Sequence, residues 1–224
     1  MRTINISMKK IWFFGDSWCC SAEPGTWVDE LAIRTNSHIA HLGFAGKSLH
    51  TTMQDFVDNI QFIQSDDIVV FVYTSVFRWR FQNNCFRQGV STREDQNQAH
   101  QNITKEQFDA YNRYLLYLSD PQEEELRAAS YISYMNNYPL PCKTIHLPAF
   151  GDFPIDYIPG FKTLENIDAS NTGNFTSLIW QFEKDNNLTS GATSSSIDNH
   201  MGEPGTPTDA VPYILKNIEH LLDK

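Results

Sequence analysis

Short apolar runs alternate with amphipathic stretches along most of the chain. The clearest strand pattern covers residues 67–73, where apolar side chains follow one another without alternating polar positions. Such a run is typical of a central parallel strand that is covered on both faces. Shorter runs of the same kind predict strands over residues 10–14, 38–42 and 143–147.

Amphipathic segments between these runs predict helices over residues 26–34, 48–63 and 105–137, and a closing helix over 206–222. Ser48 is placed to cap the second helix. The third segment is interrupted before Pro121, because proline suits the first turn of a new helix. The acidic run Glu123-Glu124-Glu125 predicts an exposed face close to that helix start.

Strands that alternate with helices predict an α/β fold, a three-layer α/β/α sandwich built on a parallel sheet. The 224 residues fit a single domain over residues 1–224. Residues 76–104 are rich in Arg, Asn, Gln and aromatic side chains, and residues 150–197 show little periodicity. Both segments are therefore predicted to be long loop insertions at the C-terminal edge of the sheet.

Charge and hydropathy narrow the classes of partner. The net charge of -10 argues against binding to a phosphate backbone, so we expect no nucleic-acid partner. No apolar run approaches the roughly 20 residues of a membrane span, so we expect no membrane partner. Lys9 and Lys10 precede an apolar run too short for a secretory signal, which predicts cytoplasmic synthesis. Release by lysis or incorporation into a particle stays open, and the sequence identifies no protein partner.

Cysteine and histidine positions do not indicate a metal or another cofactor. The four cysteines lack the Cys-x-x-Cys spacing and are predicted to be free thiols: Cys19, Cys20, Cys85 and Cys142. His38 and His41 are three positions apart on a predicted strand and would face opposite sides. We therefore predict no metal site and no cofactor.

Polar turns follow three successive predicted strands, and each offers a group for acyl transfer. Ser17 comes directly after Gly15-Asp16 at the end of the first strand and is a candidate nucleophile, which would need a base. Asp16 itself is predicted to be a structural acceptor for backbone N–H groups. Gly46 follows the second strand, and Thr74-Ser75 follows the third. Parallel strands bring such ends to one edge of the sheet.

Acyl transfer by a serine needs a base, a group that orients the base, and donors for the oxyanion. His200 is the candidate base and Asp198 the candidate orienting carboxylate. Backbone N–H groups of Ser17 and Gly46 can serve as oxyanion donors, and the hydroxyl of Ser75 or Thr74 can be a third. The plainer interpretations are that Ser17 caps a helix and that His200 is a surface histidine.

Three blocks of the sequence resemble the SGNH (GDSL-like) hydrolase family, whose members are esterases, lipases and carbohydrate deacetylases. They are Phe14-Gly15-Asp16-Ser17, the segment His41-Leu42-Gly43-Phe44-Ala45-Gly46-Lys47-Ser48, and Asp198-Asn199-His200-Met201-Gly202-Glu203-Pro204-Gly205. The resemblance implies an SGNH/flavodoxin-like fold, with the oxyanion glycine falling on Gly46 and the acid and base on Asp198 and His200.

The chain departs from that family's pattern in two places. The third strand ends in Tyr73-Thr74-Ser75-Val76, without the usual side-chain amide, and only Asn199 separates Asp198 from His200 where two residues are usual. The run of Thr-Ser followed by arginine and aromatics resembles phage and environmental members of the family. Arg78 and Trp79 lie in this run and are candidate substrate-binding residues. The alternative interpretation, which has equal weight, is a loop that is packed by its own aromatic side chains.

These observations predict a serine esterase that removes a small acyl group, such as acetyl, from a carbohydrate or similar polar ester through an acyl-enzyme. The polar, aromatic insertions favour a glycan or small-molecule ester over a lipid. One alternative is a catalytically weak or inactive fold that serves as a binding or structural module, for example in a phage particle. Another is nucleotide binding at Gly46-Lys47-Ser48, although His41 stands where a P-loop needs glycine.

Overall fold

The computed structural model describes residues 8–74, 78–81, 84–87, 103–149 and 215–216. The strands are β1 (Lys10–Phe14), β2 (His38–His41), β3 (Ile68–Tyr73), β4 (Arg78–Phe81), β5 (Asn84–Arg87) and β6 (Lys143–Pro148). The helices are α1 (Trp27–Arg34), α2 (Leu49–Asn59), α3 (Lys105–Tyr117) and α4 (Pro121–Asn137), with short 3-10 turns at Ser17–Cys19 and Ile60–Phe62. None of the described helices is both long and apolar enough to span a bilayer.

Four parallel strands form the main sheet in the order β2-β1-β3-β6. With β6 counted as the fourth parallel strand, this order matches the first four strands of the flavodoxin-like 2-1-3-4-5 arrangement. All six residues of β3 are buried, as its unbroken apolar run predicted. The four predicted strands are therefore confirmed, with bounds that differ by at most one residue.

Helices cover both faces of this sheet, which confirms the three-layer α/β/α architecture. On one face, side chains of β1, β3 and β6 pack against α1 and against Leu215. On the other face, α2 and α4 pack against the alternate residues of β1 and β3. The bulkiest buried side chains on the first face include Phe13 and Trp27, whose rings meet edge to face. Phe14 and Phe56 do the same on the second face.

The helix starts follow the predicted capping chemistry. The Ser48 hydroxyl accepts from the backbone N–H of Thr51, and α4 begins at Pro121 after the cap Asp120. One prediction for α4 is wrong, because Glu124 is buried rather than part of an exposed acidic face. Its carboxylate accepts a hydrogen bond from the Ser119 hydroxyl at 2.5 Å, which turns it inward over the start of the helix.

Asp67 fixes the start of β3 against β1. Its carboxylate accepts hydrogen bonds from the backbone N–H of Lys10, the indole N–H of Trp12 and the backbone N–H of Gln64. The carboxylate is buried, so these donors replace the water it loses on folding. This contact helps to set the register in which Ile11 lies opposite Ile68, and hence where both strands end.

The predicted insertion after β3 contains two strands that its composition did not indicate. β4 and β5 pair as an antiparallel hairpin, with Arg78 opposite Arg87. Residues 76–77, 82–83 and 88–102, and the whole of 150–197, lie outside the described residues. Leu215 and Lys216 are helical, within the predicted closing helix, and Leu215 is buried against the layer of α1.

Candidate active site

Ser17 lies at the C-terminal end of β1, where it begins the 3-10 turn Ser17–Cys19. The residue that caps this turn is Asp16, whose side chain accepts from the backbone N–H of Trp18. Ser17 is half-buried, and the hydrogen bonds among the described residues include none from its hydroxyl or from its backbone N–H. Ser17 is therefore not the capping residue of this turn, and its hydroxyl makes no hydrogen bond in the described part of the chain.

The turn after β1 is held directly against the turn after β2. Gly43 donates its backbone N–H to the carbonyl of Cys19, and Phe44 donates to the carbonyl of Gly15. A Cβ at Gly43 would lie 2.5 Å from Cys19 Sγ and 2.7 Å from the Asp16 carbonyl oxygen, and a Cβ at Gly15 would lie 2.7 Å from Val72 Cβ. The two glycines therefore let the ends of β1, β2 and β3 approach closely.

Gly46 continues the second of these turns with a backbone φ of +78°, a conformation that favours glycine. No described residue accepts a hydrogen bond from its N–H. The backbone N–H groups of Ser17 and Gly46, in the turns that follow β1 and β2, thus have no acceptor in the described part of the chain. These are the two donors that the sequence predicted for an oxyanion.

Asp16 is the centre of a buried polar cluster beside Ser17. Its Oδ1 accepts from the Trp18 N–H at 3.1 Å, and its Oδ2 accepts from Thr74 Oγ1 at 2.7 Å and from Arg78 Nη1 at 2.8 Å. The predicted role of Asp16 as a structural acceptor is confirmed. Thr74 is also buried, and its hydroxyl proton is donated to Asp16. The contact with Arg78 places the start of β4 at the same edge of the sheet as Ser17.

Lys47, which follows Gly46, forms an ion pair with Asp55 of α2, and His41 Nε2 lies 3.8 Å from the same carboxylate. Burial lowers the pKa of Lys47, and burial together with the charge of Lys47 lowers the pKa of His41. The cluster ties the turn that carries Gly46 to α2. The charge of Lys47 is thereby compensated within the protein, which weakens the case for a phosphate-binding turn.

Cys19, two residues after Ser17, is poorly suited to act as a nucleophile. Cys19 is fully buried, and burial, with the neighbouring Asp16 carboxylate, raises its pKa well above the usual value. A protonated thiol reacts slowly, because the thiolate is the nucleophilic form. Cys19, Cys20 and Cys142 are all free, as predicted, while Cys85 has its side chain outside the described part of the structure.

A buried pair at the end of β3 was not predicted from the sequence. Tyr73 Oη and His146 Nδ1 of β6 are 2.7 Å apart, and the imidazole stacks on the rings of Phe71 and Tyr73. Burial lowers the pKa of His146 to about 4 and raises the pKa of Tyr73. A histidine inside the apolar run of residues 143–147 was the only signal, and it does not identify the partner.

Several predicted site residues lie outside the described residues, namely Ser75, Asp198 and His200, together with the side chain of Trp79. Their part in catalysis or binding, like the substrate-binding role of Thr74 and Arg78, stays a prediction. Within the described ranges, no group of three His, Cys, Asp or Glu side chains could hold a metal ion.

The tight packing at Gly43 leads to a prediction for the Gly43→Ala variant. Its Cβ would meet backbone oxygens that cannot move independently, so we expect the free energy of unfolding to fall by about 1–3 kcal/mol in urea denaturation. The nucleophile turn should shift as well, which should slow any covalent labelling of Ser17. Gly25→Ala is the comparison variant, because its Cβ would meet nothing within 4 Å while its φ of +88° strains any side chain, so it measures conformational strain without steric overlap. A Gly43→Ala protein with wild-type stability would contradict the packing argument.

No protein-family model matches the chain, and no curated protein matches it. Among solved structures, the chain is similar to an X-ray crystal structure of protein YXIM from Bacillus subtilis, with 11% sequence identity and a TM-score of 0.45. The similarity covers 96% of this chain and 57% of that one, so this chain spans little more than half of that protein's length. The α/β fold of this chain is established by its own parallel sheet and its two helical layers.

Proposed function

We propose that the protein is a serine esterase of the SGNH type, which removes a small acyl group such as acetyl from a carbohydrate or similar polar ester. The observation that carries the proposal is the position of Ser17. Its hydroxyl stands at the C-terminal end of a central parallel strand, without a structural hydrogen bond among the described residues, beside a turn with the positive-φ Gly46. The resemblance of three sequence blocks to SGNH hydrolases supports the same assignment.

In the proposed reaction, Ser17 Oγ attacks the carbonyl carbon of the ester while His200 takes the hydroxyl proton. Asp198 orients the imidazole of His200. The oxyanion receives hydrogen bonds from the backbone N–H groups of Ser17 and Gly46 and from Ser75. The tetrahedral intermediate expels the alcohol, which receives the proton from His200, and water then hydrolyses the acyl-enzyme by the same steps.

The described residues favour a hydroxyl nucleophile over a thiol nucleophile, a phosphate-binding turn or a catalytic role for Asp16. Cys19 is buried and its pKa is raised, so its thiol stays protonated near neutral pH. Lys47 forms an ion pair with Asp55, so its charge is already compensated and favours a phosphate group less. Asp16 is engaged by three donors within the protein and is occupied in holding the turn. These three neighbours therefore do not compete with Ser17, and the half-buried thiol of Cys20 is directed at the carbonyl oxygen of Ser17, 3.2 Å away.

The substrate class follows from the surroundings of the site. Phe44, three residues after His41 in the turn that carries Gly46, has 60% of its surface exposed. An exposed aromatic ring at the edge of a site offers a face for a sugar ring or a short acyl chain. Arg78 and Trp79, which follow β3 in the sequence, are the further candidates for contact with a polar substrate. A polar ester fits these residues better than a long-chain lipid.

The proposal is tested by a fluorophosphonate probe, which forms a stable covalent bond with an activated serine. We expect labelling of the folded protein at Ser17, located by mass spectrometry of the peptides, and release of acetate from an acetylated polysaccharide. Heat-denatured protein is the control, because activation of a serine depends on the fold. A folded protein without labelling, but with binding to the polysaccharide, would support the alternative of a non-catalytic binding module.

A further inference from the structure

The ion pair between Arg78 and Asp16 connects two parts of the chain that are 62 residues apart. Arg78 is the first residue of β4, and Asp16 immediately precedes Ser17. The side chains are 9% and 0% exposed, and the two charged atoms are 2.8 Å apart. A charged pair removed from water in this way is costly to desolvate, and removal of one partner leaves the other charge uncompensated.

We propose that Arg78 is a positioning residue for Ser17 and acts through Asp16. The inference rests on the proposed esterase function and adds to it the group that holds the nucleophile turn in its reactive geometry. Asp16 is joined to three chain segments: the N–H of Trp18 in the turn itself, the hydroxyl of Thr74 at the end of β3, and the guanidinium of Arg78. Ser17 lies between Asp16 and Trp18 in the chain. The hydrogen bond from the Trp18 N–H to the Asp16 carboxylate therefore closes a short loop that contains Ser17.

The role of Arg78 follows from what a buried carboxylate needs. Its guanidinium brings a positive charge to Oδ2, the oxygen that also accepts a hydrogen bond from the Thr74 hydroxyl. Removal of one partner from a buried charged pair leaves the other charge uncompensated. Loss of the guanidinium would therefore displace the Asp16 carboxylate, weaken its bonds to Trp18 and Thr74 and release the backbone on either side of Ser17.

The compensated charges of Arg78 and Asp16 distinguish a positioning role of Arg78 from direct binding of the substrate. The charges of Arg78 and Asp16 compensate each other, so the pair presents little net charge to an anionic group. A positioning role predicts that kcat changes while KM does not, because the geometry of attack is altered and the affinity for the ester is not. A substrate-binding role predicts the reverse, with a larger effect on an anionic ester than on a neutral one.

The experiment compares Arg78→Met, Arg78→Lys and the wild type by fluorophosphonate labelling of Ser17 and by steady-state hydrolysis of p-nitrophenyl acetate. Arg113→Met, at an exposed position of α3, is the matched control. We expect Arg78→Met to lower kcat and the labelling rate by about 10²-fold, the size of effect that a displacement of about 1 Å can cause, with KM within about twofold. Arg78→Lys keeps the charge without the planar fork and should recover part of the loss.

A second variant covers the case in which Arg78→Met fails to fold. Thr74→Val removes one of the three donors to Asp16 and keeps the ion pair, so we expect a smaller loss of kcat, again at constant KM. A folded Arg78→Met protein with unchanged kcat, or one whose loss is entirely in KM, overturns the inference. A wild-type protein that is not labelled at Ser17 overturns the proposed function itself, and the inference with it. Labelling of the wild type and of Arg78→Met at equal rates overturns the inference alone.

Discussion

The Ser17→Ala variant is expected to lose hydrolysis of p-nitrophenyl acetate while it keeps its fold. Removal of a nucleophilic serine from a catalytic triad typically lowers kcat by about 10⁶-fold. The structural cost should be small, because the Ser17 hydroxyl has no hydrogen bond within the described part of the chain and the turn is capped by Asp16. The measurement is initial rates with matched protein concentrations, together with far-UV circular dichroism and the midpoint of thermal unfolding.

Ser21→Ala is the matched control for this experiment, since Ser21 follows the same turn and, within the described ranges, its hydroxyl accepts only from the exposed Glu23 N–H. We expect wild-type rates from it. His200→Ala should be nearly as damaging as Ser17→Ala, because members of a triad act as a unit. Asp198→Ala should cost less, given the single residue between acid and base. Hydrolysis by Ser17→Ala at the wild-type rate would show that Ser17 is not the nucleophile.

The layout of the sheet was predictable because local pattern and tertiary position agree there. Residues of β3 are covered on both faces by helices, so the strand is apolar throughout and stands out in the sequence. The cap at Ser48 and the proline at Pro121 act within one helical turn, and such local chemistry can be recognised without knowledge of the fold. The position of Ser17 then followed from the end of β1.

Contacts between distant segments were not predictable in the same way. The hairpin of β4 and β5 lies in a stretch that was predicted to be a loop from its composition, although arginines and aromatic residues alternate in Arg78-Trp79-Arg80-Phe81, a pattern typical of a strand. The Asp16–Arg78 pair depends on where that hairpin begins in space. Glu124 looked exposed within an acidic run, but the hydroxyl of Ser119 and the packing of α4 bury it.

The candidate site likewise combines local features that the sequence predicts with contacts that only the structure shows. Gly43 and Gly46 could be assigned to a turn from the sequence, yet only the structure shows that Gly43 packs on Cys19 and that Gly46 has positive φ. Thr74 was considered as an oxyanion or substrate contact because of its place after β3. Its hydroxyl donates a hydrogen bond to Asp16, a contact that sequence position alone does not reveal.

The buried pair of Tyr73 and His146 predicts a loss of stability in mild acid. Burial lowers the pKa of His146 to about 4, whereas an unfolded histidine titrates near about 6.5. The unfolded chain therefore binds more protons between these values, and stability falls as pH drops below about 6.5. At pH 5 this site alone should destabilise the protein by about 2 kcal/mol relative to pH 7, and the loss reaches about 3 kcal/mol near pH 4 and is complete only at lower pH.

The comparison protein is the double variant Tyr73→Phe with His146→Phe, which keeps the stacked rings at β3 and β6 and removes the titrating group together with its partner. Other groups titrate in both proteins, including His41, whose pKa is also lowered, so their contributions cancel in the difference. Urea denaturation followed by tryptophan fluorescence at pH 7 and pH 5 measures that difference. We expect the wild type to lose about 2 kcal/mol more than the double variant over this interval. Equal losses in the two proteins would show that His146 titrates normally and that its burial does not control stability in acid.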